Sequence, residues 1–253
     1  MKKVLITGAS GGIGLETARQ LAAHGYQLTL VARNEDKLNK AVKSLGGTGH
    51  TVLAADLTNK EDLQKLVAHL KAEKYDVLIN NAGSGIYGQF IEIPLADQLA
   101  GMQLNMDALV TLSYGFLQNA GPGDALVNIA SLLGHSSFPG ASVYAATKSF
   151  VANFSESLWY EFKPKGVFVL GFNPGATSSD FHANAGGHNS DFPKLLMSSV
   201  KDVADELVNA LEKRRKPRVV QGWINRLVLF GFRLLNRKMA VNIMGQISPG
   251  MRS

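Results

Sequence analysis

The sequence predicts an α/β fold, a Rossmann-type doubly wound parallel sheet of about seven strands with helices on both faces. Short apolar runs alternate with helical patterns along most of the chain, which is typical of right-handed crossovers between parallel strands. The chain has 253 residues, of which 45% are hydrophobic, and this is enough for one large core. Because no repeat or linker interrupts the pattern, we expect a single domain over residues 1–253.

Each strand is predicted from a short apolar run bounded by turn residues. The predicted strands are residues 4–7, 27–32, 51–55, 77–80, 125–129, 167–172 and 218–221. The predicted helices run from the first glycine-rich turn to about His24, and over residues 35–45, 96–118 and 143–162. A further helix is expected to begin at a capping box formed by Thr58 and Glu61.

Composition excludes several classes of site. The chain has no cysteine, so disulfides, thiolate metal sites and cysteine nucleophiles are excluded. The first apolar run is too short for a signal peptide, and no run of about 18 apolar residues is present, so we expect a cytoplasmic protein. The net charge of +6 is concentrated between Lys213 and Lys238. An anionic cofactor also needs basic groups, and we expect no nucleic-acid partner.

A glycine-rich turn follows the first strand and precedes a helix, which is the context in which such turns bind dinucleotides. Glycines let the backbone approach a pyrophosphate, and the helix start offers unpaired amides. Two spacings are present. Gly8, Gly11 and Gly14 match larger sugar-nucleotide epimerases, whereas Gly8, Gly12 and Gly14 match compact dehydrogenases. The turn alone does not decide between them.

The end of the second strand indicates NADP(H) rather than NAD(H). An acidic residue there would bind the ribose 2′-hydroxyl, but the strand ends in Ala32 and Arg33. The guanidinium of Arg33 is placed to pair with a 2′-phosphate. Asp56, just after the third strand, has two interpretations: it accepts a hydrogen bond from the adenine amino group, or it caps the next helix.

Three residue types indicate a site for proton transfer. Tyr144 and Lys148 are four positions apart on a predicted helix and therefore share one face. An ammonium near the phenol is expected to lower the pKa of Tyr144 and allow proton transfer to a carbonyl oxygen. Ser131 ends the fifth strand, at the sheet edge where open α/β sheets bind ligands. Its hydroxyl can orient the substrate oxygen.

Together these motifs resemble the short-chain dehydrogenase/reductase family, in its compact single-domain branch, over residues 3 to about 211. Tyr144 follows Ser131 by 13 positions, as the family pattern expects. The Asn-Asn-Ala-Gly run at residues 80–83 resolves the glycine spacing against the epimerases. The other matching residues are the turn at residues 7–14, Asp56, Asn105, Lys148 and the run at residues 173–177.

The resemblance implies a role for each matching residue. Tyr144 would be the general acid/base, Lys148 would bind the nicotinamide ribose, and Ser131 would polarise the carbonyl. Asn105 would hold a water that relays protons to Lys148; an ordinary polar residue of a helix is the alternative. The implied NADP(H)-binding residues are Gly8, Ser10, Gly11, Gly12, Ile13, Gly14, Arg33, Asp56, Leu57, Asn81, Ala82, Gly83, Tyr144, Lys148, Pro174, Gly175 and Thr177.

One departure from the family concerns the 2′-phosphate. Many NADP-preferring relatives also carry a basic residue inside the glycine turn, but this chain has Ser10, Gly11 and Gly12 there. Phosphate recognition is therefore expected to rest mainly on Arg33, and the preference for NADP(H) to be less than absolute.

The substrate is expected to be a small or lipid-like hydrophobic ketone, aldehyde or ketoacyl compound, or the corresponding alcohol. The resemblance implies that a loop over residues 177–198 forms the wall of its pocket. Its apolar residues are Phe181, Phe192, Leu195, Leu196 and Met197, and Leu132, Leu133 and Phe138 are further candidates for the lining. His182 and His188 lack the spacing and the acidic neighbours of a metal site, so no metal is expected.

The C-terminal extension, residues 223–253, has two interpretations. Apolar positions interleaved with Arg226, Arg233, Arg237 and Lys238 are typical of a helix at an anionic bilayer surface. The favoured alternative is a helix that closes over the substrate pocket or packs on another subunit.

Two functions compete. The first is an NADP(H)-dependent carbonyl reductase or alcohol dehydrogenase, and the second is a regulator that senses redox state by binding NADP(H) without turnover. The complete set of Ser131, Tyr144 and Lys148 favours the enzyme. The resemblance also implies a homodimer or homotetramer formed through the helices at residues 96–118 and 143–162.

Overall fold

The computed structural model describes residues 1–251 of the chain. The strands are β1 (Lys3–Thr7), β2 (Gln27–Ala32), β3 (Thr51–Ala54), β4 (Val77–Asn80), β5 (Ala125–Ile129), β6 (Phe168–Asn173), β7 (Thr177–Ser178), β8 (Ser198–Ser199) and β9 (Arg218–Val220). The helices are α1 (Gly12–Ala23), α2 (Glu35–Lys43), α3 (Lys60–Ala72), α4 (Leu95–Met102), α5 (Leu109–Leu117), α6 (Ser142–Phe162), α7 (Asp180–Asn184), α8 (Val200–Lys213), α9 (Trp223–Leu234) and α10 (Arg237–Ile247).

Seven strands form one parallel sheet in the order β3-β2-β1-β4-β5-β6-β9, which confirms the predicted fold class. The order reverses direction between β1 and β4. At such a switch point the connections leave β1 and β4 in opposite directions and open a crevice beyond the carboxyl ends of the strands. Glycine-rich chain after β1 and polar chain after β4 and β5 therefore meet at one edge.

Apolar layers cover both faces of the sheet. The central strands β4, β5 and β6 are buried along their whole length, as their continuous apolar sequences require. One face packs against α1, α2 and α8 through residues such as Leu21, Leu38 and Leu207. The other face packs against α3 and α5 through residues such as Leu66 and Leu112. This core holds the loops at the carboxyl edge on a rigid base.

Two predicted helix features are wrong in detail. Asn59, not Thr58, caps α3: its side chain accepts hydrogen bonds from the amides of Glu61 and Asp62. The hydroxyl of Thr58 donates to Asp56 instead. The helix predicted at residues 96–118 is interrupted, since a π-helical segment at Gln103–Ala108 separates α4 from α5. Such wide turns change the direction of side chains and are frequent at functional sites.

The structure also corrects the C-terminal half. The predicted loop at residues 177–198 contains the paired strands β7 and β8 and the short helix α7. The sequence reading did not predict α8, whose buried residues Val203, Leu207 and Leu211 follow helical spacing and pack on the sheet. The extension forms two helices, α9 and α10, rather than one. No helix within residues 1–251 is long and apolar enough to cross a membrane.

Candidate active site

The turn between β1 and α1 depends on glycine at particular positions. Gly8 and Gly12 have φ angles of +65° and +54°, which favour glycine. A Cβ atom on Gly8 would lie 2.9 Å from Ala82 Cα, and one on Gly14 would lie 2.5 Å from Gly8 O. Gly11 has no atom within 4 Å of its Cβ position, so it leaves the approach to the turn open. Gly11 also caps α1 without any side-chain acceptor, and the first amides of α1 are free for an anion.

Asn81, which directly follows β4, stabilises this turn by hydrogen bonds. Its Nδ2 donates to Thr7 O at 2.9 Å and to Gly8 O at 3.1 Å. The Thr7 hydroxyl accepts hydrogen bonds from the amides of Asn81 and Ala82, both at 3.0 Å. The side chain of Asn81 therefore fixes the shape of the turn, while Ala82 and Gly83 form part of the cavity wall beside it.

The residues expected at the adenosine end lie in different settings. Arg33 is exposed just beyond β2. The carboxylate of Asp56 accepts from the amide and hydroxyl of Thr58 at 2.9 and 2.7 Å. These hydrogen bonds, with a smaller effect of Arg33, hold the pKa of Asp56 below its usual range. Asp56 thus shapes the turn before α3, and Leu57 is buried in the core, so neither side chain lines the cavity.

Lys37 is a basic residue of this site that the sequence reading did not single out. Asn34 caps α2 by accepting from the Lys37 amide at 2.8 Å, and the Lys37 side chain lines the cavity beside the glycine turn. The available signal was a lysine in the first turn of the helix that follows Arg33. A second cation therefore stands near the position expected for a phosphate, although the glycine turn itself has none.

Ser131, Tyr144 and Lys148 line one cavity, as their predicted positions on a strand end and a helix face require. Ser131 follows β5 and is buried. Tyr144 and Lys148 occupy successive turns of α6, and the Lys148 ammonium lies 5.9 Å from the centre of the Tyr144 ring. Lys148 Nζ also donates to Ile129 O at 2.8 Å, which ties its side chain to the end of β5.

Burial is the main cause of the shifted pKa values of Tyr144 and Lys148. It raises the pKa of Tyr144 to about 12, and the hydrogen bond with Ser131 opposes this only in part. Burial also lowers the pKa of Lys148 to about 8. The expected lowering of the Tyr144 pKa by Lys148 is therefore wrong for this structure. In apolar surroundings the loss of water disfavours the charged form of each group. At their separation the two groups do not stabilise each other enough to offset this effect.

Asn105 lies in the π-helical segment next to Lys148. Its Nδ2 donates to Ser84 O at 2.8 Å and to the Thr147 hydroxyl at 3.1 Å, while its Oδ1 accepts from the Ser84 amide at 3.0 Å. A Cβ atom on Gly83 would lie 3.0 Å from Asn105 Oδ1 and 3.2 Å from Lys148 Nζ. The side-chain amide of Asn105 thus anchors the chain after β4 and keeps Gly83 close to Lys148.

One cavity of about 460 Å³ joins the glycine turn to the Tyr144 region, a size that suits a bound small molecule. Pro174, Gly175 and Thr177 line its middle. Its far end is apolar. The side chains that form the far end come from residues 132–138, the chain around α7 and the two C-terminal helices: Leu132, Leu133, Phe138, Phe181, Phe192, Leu196, Val228, Phe232, Met244 and Ile247.

The C-terminal helices therefore close over the cavity. The inner side of α9 supplies Val228 and Phe232 to the wall, and its Asn225 side chain packs directly against Gly175, where a Cβ atom would collide. Of the expected loop residues, Leu195 and Met197 do not line the cavity; Leu195 is largely exposed. Within residues 1–251, no group of three or more His, Asp or Glu side chains is placed to hold a metal ion.

Comparison with known proteins identifies the family. The sequence model described as short chain dehydrogenase matches residues 2–189. This chain belongs to the short-chain dehydrogenase family. The identification agrees with the sequence motifs and with the position of the switch point between β1 and β4.

Individual relatives extend over most of the chain. A 3-oxoacyl-acyl-carrier-protein reductase of Rickettsia bellii is 35% identical over 193 residues, covering 70% of this chain and 73% of that protein. Serine 3-dehydrogenase of Rhizobium radiobacter is 29% identical over 213 residues, covering 82% and 85%. A solved short-chain dehydrogenase from Sphingobium yanoikuyae, in complex with NADPH, has a TM-score of 0.83 and 30% identity, covering 92% of this chain and 93% of that one.

Proposed function

We propose that this chain is an NADP(H)-dependent oxidoreductase that interconverts the carbonyl and alcohol forms of a hydrophobic substrate, with Tyr144 as the general acid/base. The observation that carries the proposal is the meeting of Ser131, Tyr144 and Lys148 in one cavity with the glycine turn. When bound, NADP(H) supplies or accepts the hydride that the reaction needs.

Reduction requires a proton for the carbonyl oxygen, and Tyr144 is placed to donate it. Because burial raises the pKa of Tyr144 to about 12, the phenol stays protonated at neutral pH and is ready to act as an acid. The Ser131 hydroxyl positions the same oxygen by a hydrogen bond and stabilises the charge that develops on it. In the oxidation of the alcohol the same residue would act as the base, and this role needs the phenolate.

Lys148 has two roles. It binds the ribose of the nicotinamide nucleotide, and it resupplies the proton that Tyr144 donates. Its bond to Ile129 O fixes the ammonium close to Gly83, and its pKa of about 8 lets it release a proton near neutral pH. Asn105 holds the neighbouring backbone through Ser84. We assign to Asn105 the further role of positioning a water molecule that returns protons to Lys148.

The residues present fit a phosphorylated dinucleotide. The open face of Gly11 and the free amides at the start of α1 suit a pyrophosphate, and the Gly12 and Ile13 amides are the nearest donors. Arg33 and Lys37 are the two cations that we assign to the 2′-phosphate. The NADPH bound by the Sphingobium yanoikuyae relative supports NADP(H) as the cofactor.

The chemistry of the cavity favours an uncharged substrate. Its only lysine or arginine residues within the described chain are Lys37 and Lys148, and both belong to the nucleotide end. A charged substrate such as the amino acid that names the Rhizobium radiobacter relative would have no cation to pair with at the apolar end. A ketone, an aldehyde or the 3-oxoacyl part of a thioester fits better.

A panel of substrates tests this function. We expect NADPH oxidation with hydrophobic ketones, aldehydes or 3-oxoacyl thioesters, and slower oxidation of NADH with the same compounds. Tight NADPH binding without turnover on a wide panel would overturn the proposal and would favour the redox-sensing regulator.

Exposed apolar side chains on α4, α5 and α6 support self-association as a homodimer or homotetramer. Leu95, Leu99, Tyr114 and Tyr160 are each more than half exposed. Large apolar residues on neighbouring helices are typical of an interface between subunits. Analytical ultracentrifugation of the full chain would show a monomer if this proposal is wrong.

The outer side of α9 supports a contact with an anionic membrane surface. Trp223, Leu227, Phe230 and Leu234 form one helical stripe and are 60–75% exposed. Arg226 flanks the stripe, although its guanidinium is paired with Glu206. Flotation with anionic liposomes tests the contact: a chain carrying Leu227→Ser and Phe230→Ser should bind much less than the unaltered chain, and equal binding would contradict it.

A further inference from the structure

The apolar end of the cavity contains a polar pair, partly buried Tyr87 and buried His182, that the chemistry at Tyr144 does not use. The hydroxyl of Tyr87 and Nδ1 of His182 are 3.0 Å apart, and both residues line the cavity. Tyr87 lies after β4 and His182 lies in α7, so the pair joins two separate segments. His182 is buried, with 6% of its surface exposed.

The surrounding structure holds this pair in place. The Tyr87 amide donates to Ala185 O at 2.8 Å, just beyond α7. A Cβ atom on Gly187 would lie 2.9 Å from the Tyr87 ring, so that position must be small. The ring of Phe192 lies 4.6 Å from the His182 ring and 6.3 Å from the Tyr87 ring. Both polar groups are thus fixed against an apolar backing.

With either tautomer of His182, the pair keeps one hydrogen-bond donor that is not used within the pair. If the Tyr87 hydroxyl donates to Nδ1, then Nε2 of His182 carries a proton; if Nδ1 donates, the Tyr87 proton remains free. Among the described residues, no other hydrogen bond reaches either group. Because both residues line the cavity, a ligand oxygen there can accept from this donor, and one such neutral hydrogen bond contributes about 0.5–1.5 kcal/mol.

The charge of the pair selects the kind of group that it binds. Burial raises the pKa of Tyr87 and lowers that of His182, so both are neutral at pH 7. The Asp191 carboxylate lies close enough to raise the pKa of both groups. A neighbouring carboxylate disfavours an anionic ligand, whereas a hydroxyl or carbonyl oxygen meets no such repulsion.

We propose that Tyr87 and His182 form a second polar subsite, which binds a neutral acceptor oxygen on the substrate at a distance from the reacting carbonyl. This proposal rests on the proposed function and specifies its substrate class: an uncharged, hydrophobic carbonyl compound with a second oxygen. Phe181 packs against both sites, since its ring lies 5.5 Å from the Tyr144 ring and 5.8 Å from the His182 ring. The apolar body of the substrate is therefore expected to pack against Phe181 while its two oxygens reach the two sites.

Two matched ketones test the subsite: cyclohexylcyclohexanone and its counterpart with a hydroxyl on the far ring. Binding is measured by NADPH fluorescence in the Tyr144→Phe chain, so that the result does not depend on turnover. We expect the hydroxylated ketone to bind roughly tenfold more tightly, the contribution of one neutral hydrogen bond. Adding Tyr87→Phe and His182→Phe together should abolish this preference with either tautomer, whereas adding Tyr26→Phe, which lies outside the cavity, should keep it.

Turnover in the unaltered chain separates this subsite from the proposed function. In the chain with Tyr87→Phe and His182→Phe, the KM for the hydroxylated ketone should rise more than the KM for the plain ketone. Equal affinity of the unaltered site for the two ketones, or a preference that survives the double substitution, would overturn the subsite. A clear binding preference without any turnover would keep the subsite and overturn only the proposed reduction.

Discussion

The two ends of the cavity are built in different ways. At the nucleotide end the shape comes from the backbone: the turn at Gly8 and Gly12, the start of α1, and the brace from Asn81. At the substrate end the shape comes from side chains of segments far apart in sequence, such as Phe138, Phe192 and Phe232, which pack around one hydrophobic cluster. The first end recognises a ligand by amide geometry, and the second by the fit of apolar surfaces.

The difference teaches how each end responds to substitution. A backbone-built site admits no added atom at Gly8 or Gly14, where neighbouring backbone atoms are too close. A side-chain-built site can change its shape by replacing one apolar residue with another of different size. Substrate choice can therefore vary within this fold while the nucleotide end stays the same.

The largest effect is expected from Tyr144→Phe, at the point where the two ends meet. Removal of the hydroxyl removes the general acid, and turnover should fall by about a thousandfold. The affinity for NADPH should stay within a few fold, because the nucleotide end does not depend on the phenol. Tyr26→Phe, which lies outside the cavity and outside the proposed subunit interface, is the control and should keep full activity. Substantial turnover by Tyr144→Phe would show that another acid serves the reaction.

Gly8→Ala tests the backbone-built end. The φ of +65° and the approach of Ala82 Cα to 2.9 Å leave no room for the methyl group. Strain of about 1–3 kcal/mol should weaken NADPH binding by roughly ten- to a hundredfold. Gly121→Ala is the matched control, since its Cβ meets nothing within 4 Å and it lies outside the cavity. Calorimetric titration with NADPH measures both, and equal losses for the two variants would contradict this picture of the turn.

The Arg33→Ala substitution tests recognition of the 2′-phosphate at the nucleotide end. Loss of a charge-assisted hydrogen bond to the 2′-phosphate should weaken NADPH roughly tenfold and leave NADH unchanged. Lys37→Ala should have a similar effect, because Lys37 lines the cavity beside the glycine turn. Lys40→Ala, exposed one turn further along α2, is the control. Comparable losses for NADPH and NADH, measured by fluorescence titration, would rule out recognition of the 2′-phosphate by these residues.

The Lys148→Met substitution tests how the buried lysine affects the stability of the fold. Burial lowers the pKa of Lys148 from 10.5 to about 8, so the unfolded chain binds more protons between these pH values. Below pH ~8 the buried ammonium therefore lowers the free energy of unfolding by roughly 3 kcal/mol at most. This loss of stability becomes smaller as the pH rises toward ~10.5. Urea unfolding should show Lys148→Met as more stable than the unaltered chain at neutral pH.

The pH trend distinguishes this effect from simple packing. The stability difference between Lys148→Met and the unaltered chain should shrink as the pH rises from ~8 to ~10. Lys40→Met should show no such trend, because Lys40 is exposed. A difference that is constant with pH would mean that Lys148 is not buried as an ammonium.

The nucleotide end was predictable from sequence because its determinants are local. Gly8, Gly12 and Gly14 lie in one turn, and Tyr144 and Lys148 share a helix face, so spacing along the chain is enough to place them. The sheet was predictable for the same reason: its central strands are short apolar runs bounded by turn residues.

The substrate end was not predictable because its determinants are distant. Tyr87 and His182 meet only through tertiary packing, and so do Asn225 and Gly175. The pKa of Tyr144 was predicted in the wrong direction because the sequence shows that Lys148 is near but does not show how deeply both groups are buried. Burial of this kind depends on the C-terminal helices, whose position the sequence left open.

Isotope transfer tests the central claim most directly. The unaltered chain is incubated with a hydrophobic ketone and NADPH that carries deuterium at the reactive carbon of the nicotinamide. If the cavity holds both ligands as proposed, the product alcohol should carry deuterium on the former carbonyl carbon, detected by mass spectrometry. Tight NADPH binding with no deuterated alcohol, for any ketone of the panel, would contradict the claim that this chain is a reductase.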